Sequence, residues 1–429
     1  MQWARTGEWV PEVDGESCKQ CGLCMQVCPN EPRFLVDRAE STSKIGSKYG
    51  VPEEAVAYFA HDASPQGRVG SASGGAVTAI LQSLLEDGTI DGVIGPKRVA
   101  AKVGDPHALC TIHEDSVSLN EARSSHYHPL NYADVLQALG DGRKNRIALL
   151  GTPCIIRAVA RLPRRYRDKI AFQFCLICSH NVSGRFTDFL AQREGIDPNR
   201  AFSCNLRHKN SSMENAATFF NRFDQGERSF CRDRYQNDFT GTWRNHFFAI
   251  EACLYCPDFY GTEASMSIKD PWGVRSDPAG WSLLLVRDPA LASTIEQCAA
   301  NGKIVLDRCS LEEFKRSQRQ TAQYKSIEAA GRQMINPLLR SIKQKSLKFH
   351  MKSLLKAHIK IVREGLRYKY LIDRSNAEYE RMGVDLPVEK LIAKSVKKFE
   401  RPGPAARVLL PIVTRLRSLS CLLRKRTDG

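Results

Sequence analysis

Arg146-Ile147-Ala148-Leu149-Leu150-Gly151-Thr152-Pro153-Cys154 carries the reading of the fold. A short apolar run bounded by turn residues is what a strand buried on both faces looks like. Here it runs into a Gly-Thr-Pro-Cys turn and a helix. The pattern recurs on both sides. Upstream, Ala76 to Leu85 reads as a helix that Asp87-Gly88 ends, and Ile90 to Gly95 as a strand. Downstream, Lys169 to Ile177 reads as a strand closing at Cys178. Trp281 to Val286 reads as a late buried strand, followed by a helix over Pro289 to Ala299. Apolar runs alternating with amphipathic stretches from Gln66 to about Ser310 predict an α/β domain, a mixed sheet flanked by helices. A polar linker is expected ahead of it, through about Pro65. No internal repeat is visible.

The N-terminal end has its own chemistry. Cys18, Cys21, Cys24 and Cys28 stand in C-x2-C-x2-C-x3-C order, with Pro29 after the last. This is the bacterial ferredoxin run, which wraps a loop around an iron–sulfur cube. Zinc sites usually pair two separated C-x2-C knuckles, or a knuckle with histidines. Four cysteines so close together, closed by Cys-Pro, fit a [4Fe–4S] cluster and fit zinc poorly. The expected organisation is a ferredoxin-type segment over 1–40, a core domain over 66–332 and a tail over 333–429.

A chain of 429 residues, 42% of them hydrophobic, suffices for two or three domains with a buried core. Met1-Gln2-Trp3-Ala4-Arg5 leads into a polar stretch without an apolar leader, and no run has the ~18 apolar residues of a spanning helix. Clustered cysteines in such a chain suggest a reduced, cytoplasmic setting and metal rather than disulfides. The net charge of +16 is unevenly placed. Leu311 to Gly429 holds 28 Lys and Arg against 11 Asp and Glu, a net +17, which leaves the remainder at −1. In the tail, Ile335, Leu338, Leu339, Ile342, Leu347, Met351, Leu354, Leu355, Ile359, Val362 and Leu366 approximate helical spacing with basic residues between. That is a basic amphipathic helix. Its apolar face packs on the body, or its basic face docks peripherally on an anionic membrane surface. Pro404, Pro411 and Arg424-Lys425-Arg426 suggest a further short basic segment.

A second cysteine set is less regular. Cys154 sits where a strand meets a helix, Cys178 closes the next strand, and Cys253 and Cys256 form a C-x2-C pair. Strand ends are where open α/β sheets place ligands. These four thiols close a second cube, or Cys154 and Cys178 are ordinary buried cysteines. Cys175 rivals Cys178. Gly70-Ser71-Ala72-Ser73-Gly74-Gly75 precedes a helix, and suits either phosphate approach to a helix N-terminus or a tightly packed cap. In Ser124-Ser125-His126-Tyr127-His128, a polar and aromatic stretch, His126 is either a proton donor or, as lone histidines more often are, a surface or hydrogen-bonded core group.

Together these pieces resemble the coenzyme F-420 hydrogenase/dehydrogenase beta-subunit family, from the ferredoxin run to about residue 332. Ser73-Gly74-Gly75-Ala76-Val77-Thr78-Ala79 resembles its S-G-G-x-V-T-A/G helix start, and Gly151-Thr152-Pro153-Cys154 its G-T-P-C turn. Leu176-Ile177-Cys178 and Cys253-Leu254-Tyr255-Cys256 resemble its other cysteine blocks. Ser267-Ile268-Lys269-Asp270-Pro271-Trp272-Gly273 resembles its S-x-G-D-x-W-G block, with Lys269 in place of glycine, and Gly280-Trp281-Ser282 its G-W-S element. His126-Tyr127 stands where the family often has lysine and tyrosine.

The resemblance implies FAD and two [4Fe–4S] clusters, the second held by Cys154, Cys178, Cys253 and Cys256. It implies FAD contacts from Ser73, Gly74, Gly75 and Thr78, with Gly151, Thr152 and His126 as further cofactor-binding candidates. The implied activity is that of an iron–sulfur flavoprotein oxidoreductase. Clusters exchange single electrons and flavin one or two. Its partner would be ferredoxin, a deazaflavin carrier or a small-molecule substrate, and the basic tail is most like members found beside polysaccharide-assembly enzymes. Two other readings are an electron-transfer subunit without a substrate of its own, and a zinc-stabilised nucleic-acid-binding protein. The neutral body and the lack of aromatic interleaving in the tail weigh against the last. No residue stands out as the proton donor.

Overall fold

The computed structural model describes residues 1–29, 51, 54–140, 142, 145–209, 219–329 and 351–400. Beyond a short N-terminal hairpin, Gln2–Trp3 with Trp9–Val10, its strands are β1 (Val56–Asp62), β2 (Gly92–Arg98), β3 (Ala108–His113), β4 (Ile147–Gly151), β5 (Ile170–Leu176), β6 (Ser203–Lys209), β7 (Phe219–Gln225), β8 (Arg228–Asp233), β9 (Met266–Lys269), β10 (Ser282–Val286) and β11 (Ile304–Cys309). Eight of them form one mixed sheet in the order β11-β1-β10-β9-β5-β4-β2-β3. Its middle is parallel, with β2 on β4, β4 on β5 and β5 on β9. The other neighbours pair antiparallel. A separate antiparallel sheet holds β8-β7-β6.

The period of two in a strand divides the core between two faces. Ala148 and Leu150 of β4 join Tyr58, Ala60, Val93, Phe174 and Leu284 on one face, under a helix over Ala76–Glu86 that buries Ala76, Ala79, Ile80, Leu81 and Leu84. Ile147 and Leu149 face the other way, against Ile156 and Val159 of the helix Pro153–Ala160. Every residue of β4 and β10 is buried, hence their unbroken apolar sequences.

One expectation is corrected. The stretch read as polar linker through Pro65 contains β1, which lies between β11 and β10 inside the sheet. Val51 and Ala55 ahead of it are also core. Val56-Ala57-Tyr58-Phe59-Ala60 is strand-like by itself, but charged neighbours on both sides conceal it.

The N-terminal segment docks on the sheet domain. Trp3 Nε1 donates to the Gly104 carbonyl at 2.6 Å, Gly184 N–H to the Gly7 carbonyl at 2.7 Å, and Arg185 to the Arg5 carbonyl. Gly7 and Gly184 touch so closely that a Cβ on Gly7 would lie 2.8 Å from the Gly184 nitrogen.

The tail supplies two helices, Met351–Met382 and Val388–Glu400. Leu371, Leu386, Val388 and Leu391 are buried with Phe186, Phe189, Phe239 and Phe248 in a second core. The described part of the tail therefore packs on the body. Residues Ile335 to Leu347 of the expected amphipathic pattern, and Pro404, Pro411 and Arg424-Lys425-Arg426, lie outside the described residues. Among the described residues no helix is long and apolar enough to cross a membrane.

Candidate cluster and cofactor site

The parallel strands β4, β5 and β9 end side by side, Gly151 opposite Cys175 and Ile268 opposite Leu176. Their exits bring the second cysteine set to one edge. Cys154 opens the helix Pro153–Ala160, and the Thr152 hydroxyl lies 3.1 Å from its sulfur. Cys178 follows β5, its N–H on the Phe259 carbonyl. Cys253 lies in a 3-10 turn, Glu251–Leu254, and its sulfur accepts from the Asn181 N–H at 3.4 Å. Cys256 is buried. The four thiols lie near enough to act on one another electrically. Burial and then Cys256 raise the Cys154 pKa, burial pushes Cys178 up to about 11, and burial pushes Cys253 up to about 12. Among the described residues no three Cys, His, Asp or Glu side chains are grouped to hold one bare metal ion. A four-iron cube is larger and takes its thiolates at separate corners. Cys175, the rival ligand, is fully buried on β5, its sulfur crowding the position a Cβ on Gly261 would take.

Two buried cations, neither singled out in the sequence, flank this set. Arg157 is 1% exposed. Its guanidinium lies 3.7 Å from the Asp258 carboxylate and 4.0 Å from the Cys256 sulfur, and donates at 3.2 Å to the Pro29 carbonyl. Pro29 directly follows Cys28, so one side chain reaches from the second cysteine set to the residue beside the first. Burial opposes its charge, but Cys256 and Asp258 outweigh burial. Lys325 is also 1% exposed and donates to the Cys253 carbonyl at 3.1 Å. Burial again opposes the charge, and ionised Cys256, Cys253 and Cys178 would outweigh it. Four thiols with a buried lysine beside them that lacks a paired carboxylate among the described residues are a donor set that a net-anionic [4Fe–4S] cluster would fit. Of the N-terminal four, Cys18, Cys21 and Cys24 are exposed and Cys28 is half-buried.

The small-residue loop follows β1 at the same end of the sheet. Gly75 adopts φ 80° and caps the helix Ala76–Glu86, on which Thr78 lies. A Cβ on Gly74 would sit 2.6 Å from the Ala60 oxygen and 2.7 Å from the Ser282 nitrogen. The protein's own backbone thus requires both glycines. The Ser73 hydroxyl donates to the Trp281 carbonyl. Lys209 donates to the Arg68, Ser73 and Ala279 carbonyls, and burial pushes its pKa down to about 7. Arg207 pairs with Asp270 at 3.0 Å and donates to the Ala72 carbonyl. Burial pushes Asp270 up, but Arg207 and Lys269 outweigh it and hold the carboxyl below its ordinary value. Lys269, at the family's glycine position, donates to the Ile177 carbonyl at 3.0 Å.

Among the described residues, Nε of Arg207, whose Nη2 donates to the Ala72 carbonyl of this loop, has no hydrogen-bond partner, and neither has Nε of Arg98 or of Arg234. Nε2 of His126 is unpartnered too, and burial pushes that imidazole down to about 3, keeping it neutral. Arg98 ends β2 and donates to the Arg123 carbonyl; Arg123 in turn binds the Gly67 carbonyl and the Ser71 hydroxyl. Donors left over beside a glycine loop suit a phosphate-bearing cofactor.

Residues 57–137 match the N-terminal part of the coenzyme F420 hydrogenase/dehydrogenase beta subunit, and residues 144–311 match its C-terminal part. The chain belongs to this family. Residues 11–33 match a 4Fe-4S binding domain. The family's two parts meet on the sheet described above, and all four cysteines of the second set fall within the C-terminal part. A coenzyme F420-dependent sulfite reductase of Methanocaldococcus jannaschii is 23% identical over 308 residues, covering 64% of this chain and 45% of its own length. The chain thus spans less than half of that relative. An uncharacterized protein of the same organism is 22% identical over 312 residues, covering 69% and 76%. A chain of the F420-reducing [NiFe] hydrogenase complex from Methanosarcina barkeri shares the fold, with TM-score 0.50 and 16% identity over 68% of this chain and 95% of that one. The chain is an iron–sulfur member of an oxidoreductase family.

Proposed function

We propose that the protein is an iron–sulfur flavoprotein oxidoreductase that exchanges electrons between two [4Fe–4S] clusters and FAD, and through them with a carrier such as ferredoxin or a deazaflavin or with a small-molecule substrate. The observation that carries this is Arg157, which bonds to the carbonyl after Cys28 and lies against the sulfur of Cys256. It reaches from the second set to the residue that follows Cys28. Cys18, Cys21, Cys24 and Cys28 would hold the first cluster, exposed to a redox partner. Cys154, Cys178, Cys253 and Cys256 would hold the second, away from water.

FAD would lie over Ser73, Gly74, Gly75 and Thr78, beside Gly151, Thr152 and His126. Arg98, Arg207 and Arg234 would answer its phosphates with their unpaired Nε atoms. When bound, flavin supplies the exchange between single electrons and pairs. The chain's own part is positional. Lys209 and Arg207 fix the loop by its carbonyls, and neutral His126 offers a ring nitrogen. The tail lies outside the matched residues, and a role in polysaccharide assembly would rest on it.

Anaerobic purification, followed by iron, sulfide and flavin assay, tests the reading. Iron for two clusters, one FAD per chain and a visible spectrum that dithionite bleaches are expected. Colourless protein that holds zinc would overturn it.

A further inference from the structure

We propose that Lys325 sets the reduction potential of the mid-chain cluster, an inference that rests on the reading of Cys154, Cys178, Cys253 and Cys256 as its ligands. Lys325 lies in a π-helical turn, Gln323–Ala329, past residue 311 where the family match ends. A π turn inserts extra backbone into a helix and is common where a side chain must be aimed at a site. Here it follows the helix Leu311–Ala322 and sends the lysine inward.

The ammonium is buried and, among the residues whose side chains are described, has no carboxylate paired with it. Its hydrogen bond goes to the Cys253 carbonyl. The residue it bonds, Cys253, turns its sulfur toward the Asn181 N–H at 3.4 Å, and Cys256 lies three residues further on. Arg157 differs, because Asp258 answers its charge at 3.7 Å. An ammonium removed from water needs a counter-anion. The sulfur set, once it ligates iron, is the one on offer. Reduction adds one negative charge to that assembly. A fixed positive charge nearby in a poorly screened interior stabilises the reduced form more than the oxidised, and so raises the potential. Lys325 is therefore a positioning charge, distinct from the ligands.

The test uses the full chain, reconstituted anaerobically, as wild type, K325Q and K325R. Iron and sulfide are counted, and each cluster's midpoint is read by EPR-monitored titration. The mid-chain signal is identified as the one that C253A removes, and the N-terminal signal serves as internal reference. In K325Q the mid-chain midpoint should fall by about tenfold in the reduction equilibrium, ~59 mV for one electron. The N-terminal midpoint should stay, and K325R should match wild type. A fully loaded K325Q with an unmoved midpoint overturns the proposal alone. If K325Q fails to load, a loaded K325R with the wild-type midpoint still supports the role of charge, whereas failure of both variants overturns it. Wild-type protein with iron for one cluster only, and no signal sensitive to C253A, removes the ligand assignment and this inference together.

Discussion

At the scale of single residues, glycine in the Ser-Gly-Gly loop is a packing requirement before it is anything else. A methyl group on Gly74 would meet the Ala60 oxygen and the Ser282 nitrogen, both backbone atoms of paired strands that have no room to yield. Gly74→Ala should therefore cost ~1–3 kcal/mol of folding free energy, as overpacked cores do. Urea unfolding would show it as a lower midpoint at unchanged slope, and a loss below about 0.5 kcal/mol would mean that the loop yields after all. The sequence showed small residues before a helix but could not tell a ligand's approach from a strand's. Whereas Cys154, Cys178, Cys253 and Cys256 have no such spacing, the N-terminal cysteine run was legible because its spacing is itself the chemistry. Arg157 and Lys325 were not, since a buried cation looks like any surface one in a list of letters. One signal was available for Arg157: it lies three residues after Cys154 on a helix, and such residues share a face.

At the scale of elements, the tail helices are part of the core. Leu371 is fully buried with Phe189 and Phe248, and Tyr368 and Ile372 of the same helix pack on Leu254 and Tyr255, inside the Cys253–Cys256 loop. Polar contacts fix the same helix: Arg185 reaches Glu380 at 2.6 Å, and Ser375 accepts from the Phe248 N–H at 3.0 Å. Leu371→Ala should cost ~2–5 kcal/mol, the range for truncating a buried leucine. Thermal or urea unfolding measures it, and a loss near that of an exposed site would show that the helix is not docked. Half of the eight-stranded sheet was readable element by element. The helix Ala76–Glu86 and the strands Ile147–Gly151, Ile170–Leu176 and Ser282–Val286 fall within a residue or two of the expected spans. These are elements buried on both faces or strongly amphipathic. The strands β1, β3, β9 and β11 of this sheet, and β6 to β8 of the other, were not read: charged neighbours conceal β1, and the mixed polar and apolar residues of most of the others also suit loops. The pairing order was beyond the sequence, as it depends on contacts far apart along the chain.

At the scale of the whole molecule, folding takes histidines out of water. His128 is 5% exposed; its Nε2 accepts from the His107 N–H at 3.0 Å, and its ring stacks on Trp3 of the N-terminal hairpin. Burial pushes its pKa down to about 3, and His180, also buried, is pushed well below its ordinary value by the same cause. An unfolded histidine titrates near ~6.5. Above that, neither state binds the proton and the stability is fully present. Between ~6.5 and the folded value the unfolded chain binds it and the folded chain does not, so stability falls as pH falls, by ~1.4 kcal/mol per unit for each such group. His128→Gln keeps an acceptor for the His107 N–H and removes the titration. Urea unfolding of both proteins at pH ~7.5 and ~5 should show the wild type losing stability to acid more steeply, the gap changing by roughly 2 kcal/mol over that span. Parallel losses would mean that the His128 ring reaches water in the folded chain. The slope difference, by contrast, would place the docking of the N-terminal hairpin, and with it the approach of the first cysteine group to Arg157, under the control of a neutral imidazole.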